Sequence, residues 1–550
     1  MTATQTIKIS ELALPLECAG SPEAALREAM RGYGLPANAP ITVTKRALDA
    51  RKRPPQHVYS VAVELDSTGA TRLLRRPEVS AYRPLRYASL RLSKPAPGAR
   101  PVVVGAGPAG LFAAYALAEA GAKPIVLERG RAVEERSRDV SRLYRSGELK
   151  ADSNVCYGEG GAGTYSDGKL YTRVGDPRVQ RVLELFTKHG ARADILFVNR
   201  PHIGTDKLVK ILKSMRHRLL ELGAEIHFGA AVERLSVRDG SIRGVELRGS
   251  EVIETDRVIL ATGHSAREMW FELDRHGLPL ECRPFAVGFR VEHPQTLIDV
   301  ARYGEPSRKG VLPAADYSLR YNEGKDPDRR GVWSFCMCPG GVVVTTPTHE
   351  GELCINGMSH ASRSGRYANS AMVVSVSQSD YEKAGFRGTF SGLEFQRAIE
   401  RQAYRAGGGR FVAPACRVSD FVARKSSAEL PSTSYRRGLV PAELDSLYPE
   451  SVNAILRRAL SRFGRTIPGF VTEDAVLIGV ETRTASPIRL PRTDDGEAVG
   501  CHGLFPAGEG MGYGGGIVSA AVDGMRAAEH VLRGLGARTE DGATEPCEPR

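Results

Sequence analysis

Apolar and polar positions alternate in two rhythms along this chain. Near the start the period is two: residues 57–65 place Tyr59, Val61, Val63 and Leu65 on one face, and residues 6–14 and 41–45 are strand-like as well. Between the first two strands Pro22-Glu23 opens a helix through Met30, with Ser21 as its cap. That order predicts a small α+β module of ferredoxin-like type over residues 1–95. Lys94-Pro-Ala-Pro-Gly98 then reads as a linker.

From residue 101 short apolar runs alternate with helical periods. Val102 to Val104 is followed by glycines and a small-residue helix over 111–120, and residues 125–127 form the next run. After Thr205-Asp206, apolar residues recur at Leu208, Ile211, Leu212, Met215, Leu219 and Leu222 until Gly223 ends the helix. Residues 224–228 begin a strand, Asp239-Gly240 predicts a hairpin between 235–237 and 242–247, and 257–263 is an apolar strand ending in Thr262-Gly263. Alternating strands and helices predict a parallel sheet. Residues 281–470 mix strands and helices without such glycine turns, and residues 502–510 return to strand and glycine turn, with a helix over 517–532. The predicted organisation is a basic module 1–95, an α/β domain 96–280 that resumes at 471–536, an α+β domain 281–470, and a small, polar, disordered tail 537–550.

At 550 residues and 41% hydrophobic, the chain can build more than one core. It shows neither an apolar run of membrane-spanning length nor a basic-then-apolar start, so a cytoplasmic enzyme is expected. Nine scattered cysteines do not form a dense disulfide framework. The net charge of +12 is uneven: residues 1–100 hold 16 Lys and Arg against 8 Asp and Glu, densest at Lys45-Arg46 and Arg51-Lys52-Arg53. Such a face suits a nucleic acid, or is simply a solvated basic surface, and few aromatics interleave with it.

The richest chemistry lies in Gly105-Ala-Gly107-Pro108-Ala109-Gly110 between strand and helix. Gly105 permits the tight turn, Gly107 admits a pyrophosphate, and Gly110 lets the helix approach the sheet. The phosphates would sit on free N–H groups at the helix start. Glu128, at the end of the next strand, is placed to accept from an adenosine ribose. Two further strand ends, Thr262-Gly263 and Gly508-Glu509-Gly510, would line the same side of a parallel sheet. A cofactor long enough to reach all three would be FAD, with Glu509 on a hydroxyl and the helix near Gly516 directed at the flavin.

This combination resembles the glutathione-reductase-like superfamily of FAD-binding proteins. Longer phrases resemble, more narrowly, a bacterial family of FAD-dependent dehydrogenases: residues 158–170 (GEGGAGTYSDGKL), 201–207 (PHIGTDK), 335–340 (FCMCPG), 356–359 (NGMS) and 479–487 (GVETRTASP). The resemblance spans about residues 40–535, with Glu509 in place of the usual Asp and Ala485 in place of a second serine. It implies a discontinuous Rossmann-type FAD-binding domain with an α+β substrate or cap domain. The FAD site is expected to draw on Gly105, Gly107, Pro108, Ala109, Gly110, Glu128, Arg129, Gly160, Gly161, Ala162, Gly163, Val232, Thr262, Gly263, Gly508, Glu509, Gly515, Gly516 and Ile517. No metal is expected.

For the chemistry the candidates are Glu481 and Arg483, as a proton-transfer acid and a carboxylate anchor or else a structural ion pair, and His264, as an acid, a base or a helix cap. Cys336 and Cys338 would face the same side of a strand, as inert buried thiols, flavin-proximal thiols or metal ligands. The expected function is a hydride transfer between a small organic substrate and flavin N5, with NAD(P)H as a transient donor. The alternatives are a monooxygenase using NAD(P)H and oxygen, an RNA-associated flavoprotein, and a non-catalytic redox sensor.

Overall fold

The structure, a computed structural model, describes residues 4–539 except 21, 37, 53, 95–97, 305–311 and 325–328. The Ser21 cap, the centre of the expected linker and residues 540–550 of the tail lie outside the described residues.

The N-terminal module is a four-stranded antiparallel sheet in the order Ile41–Asp49, Gln56–Asp66, Thr4–Pro15, Val79–Ala81. Helices Pro22–Ala29 and Ser67–Leu73 complete a ferredoxin-like arrangement. The second helix and the fourth strand have too few turns or residues to show a period; Asp66 starts that helix by accepting from the Gly69 N–H at 2.8 Å. Ile7, Ile9, Leu26, Val61, Val63 and Leu73 form its core. The module docks through its outer strand: the Arg46 N–H donates to Phe197 O at 2.8 Å, and Arg46 pairs with Asp194 at 3.1 Å. Arg51 is paired with Asp49, so two cations of the basic cluster are already neutralised.

A five-stranded parallel sheet carries the site. Its order is Leu504–Pro506, Val258–Leu260, Val102–Val104, Ile125–Glu128, Glu225–Phe228. Val102, Val103, Val258, Ile259 and Leu260 are fully buried, as strands covered on both faces require. Helices Pro108–Glu119 and Ile517–Gly534 pack together on it, in close approach where Gly524 meets the Ala109 carbonyl. The predicted hairpin joins Val232–Arg238 to Ser241–Leu247, with Val252–Glu254 as a third strand.

The middle domain is an eight-stranded sheet. Its main order is Arg320–Glu323, Arg330–Thr345, Tyr367–Val376, Phe285–Pro294, Val476–Glu481, Ala413–Arg417, Leu439–Pro441, and Ile355–Met358 adds to the second strand. Two sequence expectations are corrected here. Residues 476–481, assigned with 471–536 to the α/β domain, form a central strand of the middle sheet, antiparallel to Phe285–Pro294 on one side and Ala413–Arg417 on the other. The run is buried throughout and fits the interior of either sheet, so its apolar pattern could not choose between them. Residues 537–539 are not tail: Ala537 is buried with its N–H on Leu532 O, and Arg538–Thr539 pairs with Leu90–Arg91. Among the described residues no helix is long and apolar enough to cross a membrane.

Candidate functional site

A cleft of about 690 Å³ runs along the carboxyl ends of the parallel strands and on to the middle sheet. That volume is within the range of cofactor pockets. At one end lie the glycine turn, Glu128 and Arg129, and at the other Lys169, Phe335, Cys336, Asn356, Arg483 and Thr484.

The three glycines of the turn do different work. Gly105 has φ 101°, and a Cβ there would meet Ala261 O at 2.4 Å; one on Gly110 would meet Gly105 O at 1.8 Å. Both are demanded by packing of strand, turn and helix. A Cβ on Gly107 would meet only the Cα of Gly161, at an ordinary 3.8 Å, so the fold itself leaves that position open. Gly107 is also the N-cap of Pro108–Glu119 and supplies no side-chain cap, and Gly516 likewise heads Ile517–Gly534. Two helix starts with free N–H groups thus border one cleft, favourable ground for anionic or partly negative ligand groups.

Glu128 knits this end together. Its Oε2 accepts from the Ala106 N–H at 2.8 Å, and its Oε1 accepts from Gly130 at 2.8 Å and Gly158 at 2.9 Å. A carboxylate offers about four lone-pair sites, so Oε2 retains room for about one more donor. The Gly158–Gly163 loop is organised by a residue that the sequence did not single out. The buried Arg136 donates to the carbonyls of Asn154 (2.9 Å), Val155 (2.8 Å), Gly158 (3.2 Å), Glu159 (2.6 Å) and Gly161 (2.9 Å). Its helix, Val133–Ser146, looks amphipathic and ordinary; the partners lie some twenty residues on, beyond the reach of local pattern.

Of the expected cofactor residues, Gly105, Gly107, Pro108, Ala109, Glu128, Arg129, Gly161, Ala162, Gly163, Val232, Thr262, Gly263, Gly508, Glu509, Gly516 and Ile517 all line the cleft. Gly110, Gly160 and Gly515 do not line it. Gly160 faces the core, where a Cβ would meet Thr164 Oγ1 at 2.2 Å and Leu212 Cδ1 at 2.3 Å. Arg129 stacks on Tyr157, 4.3 Å from the ring centroid, and pairs with Asp152 at 2.9 Å. Two polar groups on the cleft call for a ligand. Thr262 Oγ1 is buried without a hydrogen-bond partner, and burial alone raises the Glu509 carboxyl to about 8. Open helix starts, an orphaned hydroxyl and an unpartnered carboxyl suit a long cofactor of phosphates and hydroxyls.

At the middle-sheet end, Glu481 and Arg483 do not pair with each other. Arg483 lines the cleft, but its fork is spent on Glu400 (Nε to Oε1 2.9 Å, Nη2 to Oε2 2.8 Å) and on Thr348 Oγ1 (3.0 Å). Glu400 also takes Arg267 at 3.0 Å, and against burial Arg483 and Arg267 hold its carboxyl down at about 2. Glu481 lies behind the wall of the cleft on Arg290 (2.5 Å); burial raises it to about 7 against that guanidinium. His264 lines the cleft, bonded through Nδ1 to Ser265 Oγ at 2.9 Å. It does not cap the next helix, whose N-cap is Ala266, and burial followed by Arg483 lowers its imidazole to about 4.

Lys169, inside the GEGGAGTYSDGKL phrase, belongs to the site although the sequence does not single it out. Its ammonium lies on the cleft 3.2 Å from Asp167, with no hydrogen bond of ordinary geometry. Asp167 is also held by Arg363, Nε to Oδ1 at 2.9 Å, so two cations share one carboxylate and this corner carries a positive excess. Among the described residues no group of three or more His, Cys, Asp or Glu side chains is arranged to hold a metal ion.

Strand ends, glycine turn and two-sheet cleft define a Rossmann-type, FAD-dependent fold, and the family matches agree. Residues 284–484 match the family described as FAD-dependent protein, C-terminal domain-like, and residues 103–139 match the NAD(P)-binding Rossmann-like domain. An uncharacterized protein of Clostridium beijerinckii is 41% identical over 497 residues, covering 90% of this chain and 92% of its own. The chain belongs to this bacterial family of FAD-dependent proteins, and FAD is its cofactor. Weaker likenesses include a glycine oxidase from Bacillus cereus (12% identity, 80% of this chain and 95% of that one, TM-score 0.30). Another is a glycerol-3-phosphate dehydrogenase from Bacillus halodurans (10% identity, 81% and 66%, TM-score 0.33).

Proposed function

We propose that this chain is an oxidoreductase that passes a hydride between an anionic organic substrate and FAD lying along the cleft. The adenosine would lie at Glu128 and the ring at Lys169, Asn356 and Arg483. What supports the reading is the pairing of Lys169 and Arg363 with one carboxylate, Asp167, at the end of the cleft away from the glycine turn. When bound, FAD supplies the two-electron chemistry. Pyrophosphate would rest on the N–H groups beside Gly107, a ribose hydroxyl on Glu128 Oε2, and a further hydroxyl on Glu509.

Lys169 would hold the substrate's anionic group and stabilise negative charge developing nearby. His264, neutral at pH 7 with its ring fixed by Ser265, would take a proton from the substrate. Arg483 would shape the wall rather than anchor substrate, because Glu400 already fills its fork. Glu481 would act only through Arg290, as a positioning residue. Nicotinamide or oxygen would complete the cycle.

The test is an anaerobic titration of the yellow protein with NADH, NADPH and a panel of small carboxylates, phosphates, neutral alcohols and amines, followed by flavin absorbance. An anionic donor should bleach the flavin, and Lys169→Met should raise its KM by about 10–100-fold, the value of a charged hydrogen bond. Bleaching by neutral or cationic donors alone, or by none, would contradict the reading.

A further inference from the structure

The middle-sheet wall of the cleft carries two thiols that the hydride transfer does not use. Cys336 lines the cleft; Cys338 is fully buried behind it, and both are free. They lie in an irregular stretch of Arg330–Thr345, where the register with Tyr367–Val376 shifts between Phe335 and Cys338. Cys336 has φ 47°, a left-handed conformation that is uncommon outside glycine. Residues two apart on an extended strand are about 6.6 Å apart, at the upper edge of the Cα separation that a disulfide spans. Cys338 Sγ bends back toward Cys336, to 3.2 Å from its carbonyl oxygen.

The surroundings are cationic. The buried Arg290 donates through Nη2 to Cys336 O at 2.7 Å and approaches Cys338 Sγ at 3.7 Å. Lys169, short of hydrogen-bond partners, stands on the same wall; against the desolvation of burial, the two thiols and Asp167 raise its ammonium above the ordinary value. The Cys336 thiol is held well below its ordinary value by the hydrogen bond with Cys338 and, against burial, by Lys169 and Arg290. Low-lying thiolates beside cations are the reactive kind.

We propose that Cys336 and Cys338 are a redox couple facing the flavin end of the cleft, closing to a disulfide as an electron pair passes to oxidised FAD. The Cys336 thiolate joins Cys338 in one S–S bond as the Cys338 S–H bond breaks, and the proton that Cys336 has already given up is drawn back from solvent. The two electrons reduce FAD and two protons complete the dihydroflavin; the reverse step opens the disulfide at the cost of reduced FAD. The proposal rests on the reading that the flavin ring occupies this end.

The test is an anaerobic dithionite titration of oxidised, FAD-loaded protein, paired with peptide mapping of the oxidised and reduced forms after alkylation. The wild type should take up two electron pairs per chain, and Cys336→Ser with Cys338→Ser a single pair. The Cys336–Cys338 disulfide should appear in the oxidised form and both cysteines should alkylate in the reduced form. As a third readout, Lys169→Met should slow alkylation of reduced Cys336 at neutral pH by roughly tenfold. Yellow wild-type protein that consumes a single pair, with both thiols alkylated in the oxidised form, would overturn the couple and leave the proposed function standing. Protein that takes up no FAD would bring down both.

Discussion

The two ends of the cleft are built from different materials. The glycine end is made of backbone: free N–H groups of two helix starts, a turn that two glycines allow, and one carboxylate bonded to three further N–H groups. The middle-sheet end is made of side-chain charge: Arg483 and Arg267 on Glu400, Arg290 on Glu481, Arg363 and Lys169 on Asp167. Backbone recognition tolerates sequence change wherever the turn survives, and it requires small residues at fixed spacing. Buried charge tolerates very little, since removing one partner strands the other in a low-dielectric interior. One end should therefore fail in binding and the other in folding.

Gly107→Val gives the sharpest test of that contrast. The fold leaves the position open, so the urea stability of the variant should stay close to that of flavin-free wild type, while the new side chain fills the pyrophosphate approach and FAD loading is lost. Normal flavin content in the purified variant would break the comparison. Glu400→Gln should do the reverse, costing about 3–5 kcal/mol of stability in urea unfolding because Arg483 and Arg267 lose their common partner. A shift of the midpoint near zero would show that this network is not structural. The Glu400 carboxyl lies below its unfolded value of 4.5, so its contribution is present above pH 4.5 and is lost as pH falls toward about 2.

Glu128→Ala should weaken FAD by about 1–3 kcal/mol, and it removes the acceptor of three backbone donors as well, so the loop at Gly158 should become easier to cleave with protease. Unchanged affinity would show that the ribose does not reach Oε2. A further test concerns Glu509. Its carboxyl sits at about 8 against 4.5 unfolded, so flavin-free protein should lose stability as pH rises from about 4.5 through 8. Glu509→Gln should flatten that part of the pH profile, and an unchanged slope would place the ionisation elsewhere.

The same contrast explains what could be read along the chain. Gly105, Gly107, Gly110 and Glu128 announce themselves because a strand–turn–helix is local and its glycines have steric causes. The alternating strand over Tyr59–Leu65 and the Asp239-Gly240 hairpin are legible for the same reason. The middle-sheet end is not: Glu481 meets Arg290 from 191 residues away and Arg483 meets Glu400 from 83, pairings that no local period encodes. Glu481-Thr-Arg483 suggests a working pair, yet the strand ends at Glu481, and Arg483 beyond it turns to Glu400. Arg136 was hidden by its ordinary helix, and the run 476–481 by being apolar enough for either sheet.

The most direct test is a crystal structure of the FAD-loaded protein. Ribose density is expected at Glu128 Oε2, pyrophosphate over Gly107, and the isoalloxazine ring against Lys169, Phe335 and Cys336. FAD running the opposite way, or bound outside this cleft, would contradict this placement.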